Sequence, residues 1–207
     1  IVLQFAFGCT AGFSVLTSNF FGEKDKEGVR KSFATSIVLS FIISIVLTVV
    51  ALVSVPYLLR WIKLDPNNDP TTYRAAYVYI MVIYGGLICQ VFYNLICSVL
   101  RSIGDSLTPL LFLILSSVLN IGLDFAFIYG MPTIDLKVAG AAIATVVAQG
   151  LSAALCFVYT YFKYPDLRLK KGDLKLSHQF AFAHLKQGLP LAFQFSILAI
   201  GLIVMQA

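Results

Sequence analysis

Long apolar stretches separated by charged turns organise the whole chain. Uncharged runs cover residues 1–22, 32–59, 75–100, 138–162 and 187–207, and residues 106–134 form a sixth that only Asp124 interrupts. Each reaches or exceeds the ~20 residues an α-helix needs to cross a hydrocarbon core of ~30 Å. The pattern predicts helices over 1–21, 33–59, 72–100, 107–130, 138–162 and 189–207. Connections such as 131–137 are short, so consecutive helices are expected to be antiparallel neighbours. Pro56, Pro109, Pro132 and Pro190 fall near predicted helix ends, where a missing N–H is tolerated. A longer connection, 164–187, divides the chain. Its second part, Ser177 to Lys186, reads as a short helix in the membrane interface.

The first residue, Ile1, lies inside an apolar run, and the last run stops at Ala207 without a polar flank. The expectation is therefore an internal piece of a longer protein.

Composition sharpens the class. The chain is 59% hydrophobic and only 12% charged, against about 45–50% and 25% for soluble domains. A soluble fold is excluded, and the expected class is all-α: a polytopic membrane helix bundle with about six transmembrane helices present.

Charge then assigns direction. Lys24, Lys26, Arg30, Lys31, Arg101, Lys163, Arg168, Lys170, Lys171, Lys175 and Lys186 fall in alternate connections, leaving Arg60, Lys63, Arg74 and Lys137 for the others. By the positive-inside rule the first group faces the cytoplasm. Tyr57, Trp61, Tyr73, Tyr77 and Tyr129 sit near the opposite ends and suit an outer aromatic belt. The +5 net charge thus reports membrane orientation and implies no nucleic-acid partner.

Cys9, Cys89, Cys97 and Cys156 lie within apolar runs without a CxxC or His/Cys cluster, which argues against metal ligation. His178 and His184 are six apart and share no face at ligand spacing. Both are expected to meet water or lipid headgroups.

The candidate chemistry lies deeper. Asp124 is the only charged residue between Asp105 and Asp135. A carboxylate at the centre of a spanning helix costs ~2.5–3.5 kcal/mol to insert, so a lone one points to function. Asn120 is one turn away on the same face. Counting ~1.5 Å per residue puts Asp124 roughly 9 Å below the outer end of its helix, and Thr145 and Tyr79 roughly 10 Å below theirs. Asn120, Asp124 and Thr145, with Tyr79 beside them, thus gather toward one layer of the outer leaflet. An amide, a carboxylate and a hydroxyl in that layer can hold a proton or a small hard cation. Small residues at Gly140/Ala144 and Ala141/Thr145 allow close approach of this helix to the Asp124 helix.

At this point the chain resembles the MATE (multidrug and toxic compound extrusion) family, in its bacterial DinF-like branch. The resemblance rests on four motifs in order. They are Phe20-Phe21-Gly22-Glu23-Lys24-Asp25 with Val29-Arg30, and Leu100-Arg101-Ser102-Ile103-Gly104-Asp105-Ser106-Leu107-Thr108-Pro109, then Leu119-Asn120-Ile121-Gly122-Leu123-Asp124 and Val138-Ala139-Gly140-Ala141-Ala142-Ile143-Ala144-Thr145. Such transporters have twelve helices in two lobes around a central cavity. The resemblance implies that residues 1–163 are helices two to six of the N-lobe, 164–186 the cytoplasmic inter-lobe connection, and 187–207 the start of the C-lobe. It matches Asn120, Asp124 and Thr145 to the family's cation site, and Tyr79 to a tyrosine lining that lobe. Where many relatives have Gly-x-Pro-Phe, this chain has Gly86-Leu87-Ile88-Cys89, which leaves the bend of that helix open.

The implied activity is export of amphipathic, often cationic compounds in exchange for H⁺ or Na⁺, without a further cofactor. The implied setting is a bacterial inner membrane, crossed several times by a monomer that handles a small amphipathic substrate. A flippase for a lipid-linked precursor is the alternative within the same fold superfamily. Its phosphate would call for intramembrane Arg or Lys, which these runs lack. An intramembrane aspartyl enzyme is excluded by spacing: Asp105 and Asp124 stand at opposite ends of one helix, about 28 Å apart, and cannot face each other across a substrate.

Overall fold

The computed structural model describes residues 1–61, 70–131, 133–170, 172–174 and 177–206. Lys63, Pro132, Lys171 and Lys175, used above, lie outside them. The described residues form seven α-helices and one short 3-10 turn: α1 (Val2–Gly22), α2 (Lys26–Trp61), α3 (Pro70–Gly85), α4 (Leu87–Ser102), α5 (Leu107–Gly130), α6 (Ile134–Lys163), the turn Pro165–Leu167, and α7 (His178–Gln206).

Two tight turns at one end of the bundle follow from local chemistry. Between α1 and α2, Lys24 adopts a left-handed φ of 59°, and Asp25 accepts the backbone N–H groups of Glu27 (3.1 Å) and Gly28 (3.0 Å). That satisfies donors a helix start would otherwise leave bare. A Cβ on Gly28 would lie 2.5 Å from the Phe20 ring, so glycine lets α2 start against α1. Between α4 and α5, Gly104 turns the chain at φ 90°, and Asp105 accepts the N–H of Thr108 at 3.0 Å. Asp105 also receives Lys163 Nζ at 3.0 Å and the Tyr164 hydroxyl, which ties the start of α5 to the end of α6. Burial of its carboxyl pushes the pKa up, but hydrogen bonds from Thr108, Tyr164 and Lys163 outweigh this and hold it well below the usual carboxylate range.

The main core lies at this same end. Val29 and Phe33 of α2 pack with Leu95, Ile96, Val99 and Leu100 of α4, Cys156 of α6 and Leu167 of the turn. A second cluster joins Cys9 and Phe13 of α1 to Leu39 of α2 and Ala181 and Ala192 of α7. α5 is peripheral: Thr108, Pro109 and Ser116 are its buried residues, and it rests chiefly on α6.

Two expectations need correction, and the helix count is made specific. The predicted helix over 72–100 is broken: α3 and α4 meet at Gly86 with a 45° bend. No proline is needed, because paired glycines permit the kink. Gly86 also packs so closely on α6 that a Cβ would lie 2.2 Å from Val146. Next, the short interfacial helix is no separate element. α7 starts at His178 and continues through Pro190, which lies inside it, as Pro56 lies inside α2; neighbouring helices make such prolines tolerable in a membrane bundle. Finally, four helices, α2, α5, α6 and α7, are long and apolar enough to span by themselves among the described residues, and the bent α3–α4 pair makes a fifth. α1 has the length, but Thr10, Ser14, Thr17, Ser18 and Asn19 lower its hydropathy.

α7 lies along α1, antiparallel and close. A Cβ on Gly8 would fall 2.5 Å from the Ala192 Cα, and one on Gly12 2.5 Å from the Gly188 Cα. Phe5/Phe193 and Phe20/Phe180 extend the seam at either end.

Candidate functional site

The polar residues singled out on α5 and α6 come together. α6 approaches α5 at Gly140, where a Cβ would lie 2.7 Å from that of Phe127. This near-contact aligns the two helices so that Asn120 Nδ2 donates to Thr145 Oγ1 at 3.3 Å. Thr145 in turn donates to the Ala141 carbonyl at 3.1 Å, the usual back-bond of a helical threonine.

Thr145 meets Asn120 and not Asp124, for a countable reason. α6 starts at Ile134, four residues before its expected beginning at Val138, so Thr145 lies about 16 Å along it, level with Asn120 at about 15 Å from the end of α5. Asp124 stands one turn nearer the outer surface. It is half-buried, and its Oδ1 is fully buried with no hydrogen-bond partner among the described residues. A buried carboxylate oxygen without a partner is costly unless a proton or cation binds it.

Tyr79 on α3 does not join this cluster by hydrogen bond. Its residue is 40% exposed, and it forms no hydrogen bond among the described residues. Its helix does pack on α6, so it borders the same side. Gln149, one turn beyond Thr145 on α6, was missed: its Oε1 is also buried and unpartnered. The signal was present, since an amide four residues from Thr145 repeats the Asn120/Asp124 spacing on an apolar helix.

A second polar group contradicts the sequence expectation outright. His184, expected in water or headgroups, is fully buried. Its Nε2 lies 2.9 Å from Ser32 Oγ, its Nδ1 2.7 Å from the Phe180 carbonyl, and Ser32 Oγ 2.9 Å from Thr17 Oγ1. The cause is the forward extension of α7 to His178, which carries His184 into the bundle against Phe13. His178 remains exposed.

The MatE family model matches residues 1–126. A probable multidrug resistance protein NorM of Thermotoga maritima is 28% identical over 93% of this chain and 41% of its own length. A probable multidrug resistance protein YpnP of Bacillus subtilis is 30% identical over 78% of this chain and 34% of its own. The chain therefore spans about two fifths of the length of the curated relatives it matches. Among solved structures, an inward-facing multidrug resistance MATE family transporter of the MOP superfamily matches with a TM-score of 0.81 at 27% identity, over 94% of this chain and 43% of that one. An outward-facing one matches at 0.78 and 26% identity, over 96% and 43%. These relatives are transporters, not enzymes.

Proposed function

Because the chain belongs to the MatE family, we propose that it forms part of a secondary transporter that exports amphipathic, often cationic compounds in exchange for H⁺ or Na⁺. The observation that carries the coupling role is the buried, unpartnered Oδ1 of Asp124, one turn from the Asn120–Thr145 bond. The names of the matched relatives support multidrug export as the activity.

On this reading Asp124 takes up the coupling cation from the outer side. Neutralising the carboxylate removes the cost of dehydrating it, so the polar layer between α5 and α6 can close. A ligand that binds one state better shifts the equilibrium toward that state by its differential affinity, and here the shift favours return of the emptied cavity. Asn120 and Thr145 supply neutral oxygen atoms one turn from the charge. A Na⁺ would need several of these at once, whereas a proton needs Asp124 alone, and this economy favours H⁺.

The test uses the full-length transporter with Asp124→Asn in proteoliposomes. Ion-driven efflux should vanish while the amount of inserted protein stays near wild type. Gradient-driven efflux at the wild-type rate would sink the mechanism.

A further inference from the structure

A cleft of about 530 Å³ opens between α2 and α6 at the end where the inter-lobe connection begins, and transport as described makes no use of it. The Phe33 and Phe157 rings stack with centroids 6.2 Å apart and form its inner wall, Ile37 of α2 and Tyr161 of α6 flank it, and Leu167 and Leu169 of the connection roof it. Thr160 also lines the cleft, but its hydroxyl donates to the Cys156 carbonyl at 2.7 Å, so the interior offers only apolar surface. Phe33 lies two residues past Lys31 on α2, and Phe157 six residues before Lys163 on α6, about 3 Å and 9 Å inside the last charge on each helix. A chain seated here would lie in the upper acyl region of one leaflet.

The rim differs in kind. Arg168 lies over the Tyr161 ring at 5.2 Å and donates to the Tyr161 and Phe162 carbonyls at 2.8 and 3.4 Å, which fixes its guanidinium at the mouth. Arg168 and Lys170 are exposed, and neither forms an ion pair among the described residues. The acidic residues of the same stretch are already engaged, Asp173 with Arg30 at 2.6 Å and Asp166 with Lys26 at 3.1 Å. These pairs also hold the connection down over the cleft. Among the described residues α7 packs on α1 and α2 and makes no contact with α6, so it leaves the α6 flank of the cleft open.

We propose that this cleft binds one anionic phospholipid of the cytoplasmic leaflet, an acyl chain lying over the stacked Phe33 and Phe157 rings, between Ile37 and Tyr161, and the headgroup phosphate meeting Arg168 and Lys170. The proposal rests on the reading of the chain as a membrane transporter with this end in the cytoplasm, but not on the coupling role of Asp124. The apolar depth selects a lipid over a soluble phosphate, and the two cations select an anionic headgroup over a zwitterionic one. Basic pockets between helices at the cytoplasmic side bind acidic lipids for the same reasons, and a guanidinium matches phosphate geometry with two parallel bonds.

The experiment is native mass spectrometry of the full-length protein released from micelles holding equal amounts of phosphatidylglycerol and phosphatidylethanolamine. Wild type should retain one phosphatidylglycerol in clear preference. A surface cation contributes about 1 kcal/mol, or about fivefold, so R168Q/K170Q should lower phosphatidylglycerol retention about twenty-fivefold and phosphatidylethanolamine retention by less, which erases the preference. R168K should keep the preference, K170Q alone should lower it about fivefold, and Ile37→Trp, which fills the cleft, should lower retention of both lipids. Equal retention of the two lipids by wild type would overturn the proposal, as would an undiminished preference in K170Q and R168Q/K170Q. The readout needs no ion gradient, so failure of ion coupling at Asp124 leaves it standing, and its own failure leaves transport untouched.

Discussion

His184 Nε2 lies 2.9 Å from Ser32 Oγ, and the surrounding partners fix which atom donates. The Phe180 carbonyl opposite Nδ1 can only accept, so Nδ1 carries the hydrogen and Nε2 of the neutral ring accepts from Ser32. Thr17 then donates to Ser32. One directed chain therefore links α1, α2 and α7. His184→Leu leaves the Ser32 hydroxyl without its acceptor and should cost about 1–3 kcal/mol. His184→Gln, whose carbonyl oxygen can accept in place of Nε2, should recover part of that. Thermal unfolding of the full-length protein in detergent would check this; equal melting of His184→Leu and wild type would refute it.

Around the proposed coupling site, effects should be graded. Asp124→Asn removes the carboxylate proposed to couple the ion and should abolish ion-driven transport. Thr145→Ala removes one neutral partner of Asn120, worth about 0.5–1.5 kcal/mol, and should weaken apparent ion affinity by about two- to tenfold. Efflux against ion concentration, measured in reconstituted vesicles, separates the two. A Thr145→Ala defect as complete as that of Asp124→Asn would mean that the layer acts through its packing.

The choice of ion has its own arms. Efflux should follow an imposed pH gradient with Na⁺ equal on both sides. Efflux that follows only a Na⁺ gradient at equal pH would reverse the preference for H⁺ and assign Asn120 and Thr145 as ligands.

Asp105 should leave a mark on stability at low pH. Its folded-state pKa is depressed, so its contribution is fully present above the unfolded carboxylate value of about 3.9 and is lost as pH falls through the lower folded value. Asp105→Asn should thus lower the melting temperature at pH 7, and the gap to wild type should narrow only below about pH 4. Unfolding of both proteins across that range would show it; a gap constant down to pH 3 would contradict the assignment.

The helices of this bundle were largely legible because lipid-spanning runs need length and apolarity, both of which are visible in sequence. Asp124 was legible for the complementary reason, as the one charge in an otherwise uncharged run. What escaped depended on partners. The paired glycines Gly85 and Gly86 permit a kink without requiring one, and the close packing of Gly86 on Val146 of α6 is not visible in the sequence. His184 looked interfacial because basic and polar neighbours precede it, and only the start of α7 at His178 shows that it turns inward. The register of Thr145 was off by a turn because the first residues of α6 include Asp135 and Lys137, whose charges hid the true helix start.

The seam where Gly8 meets Ala192 and Gly12 meets Gly188 bears on how the protein can be divided. The connection between α6 and α7 looks like the natural place to cut the gene and co-express two halves. Yet a cut there would strip α7 from α1 and leave a groove of bare backbone facing lipid, which no side chain on α1 can fill. A split-protein design should instead place its break after α7, so that the first half carries this helix as its own closing stave.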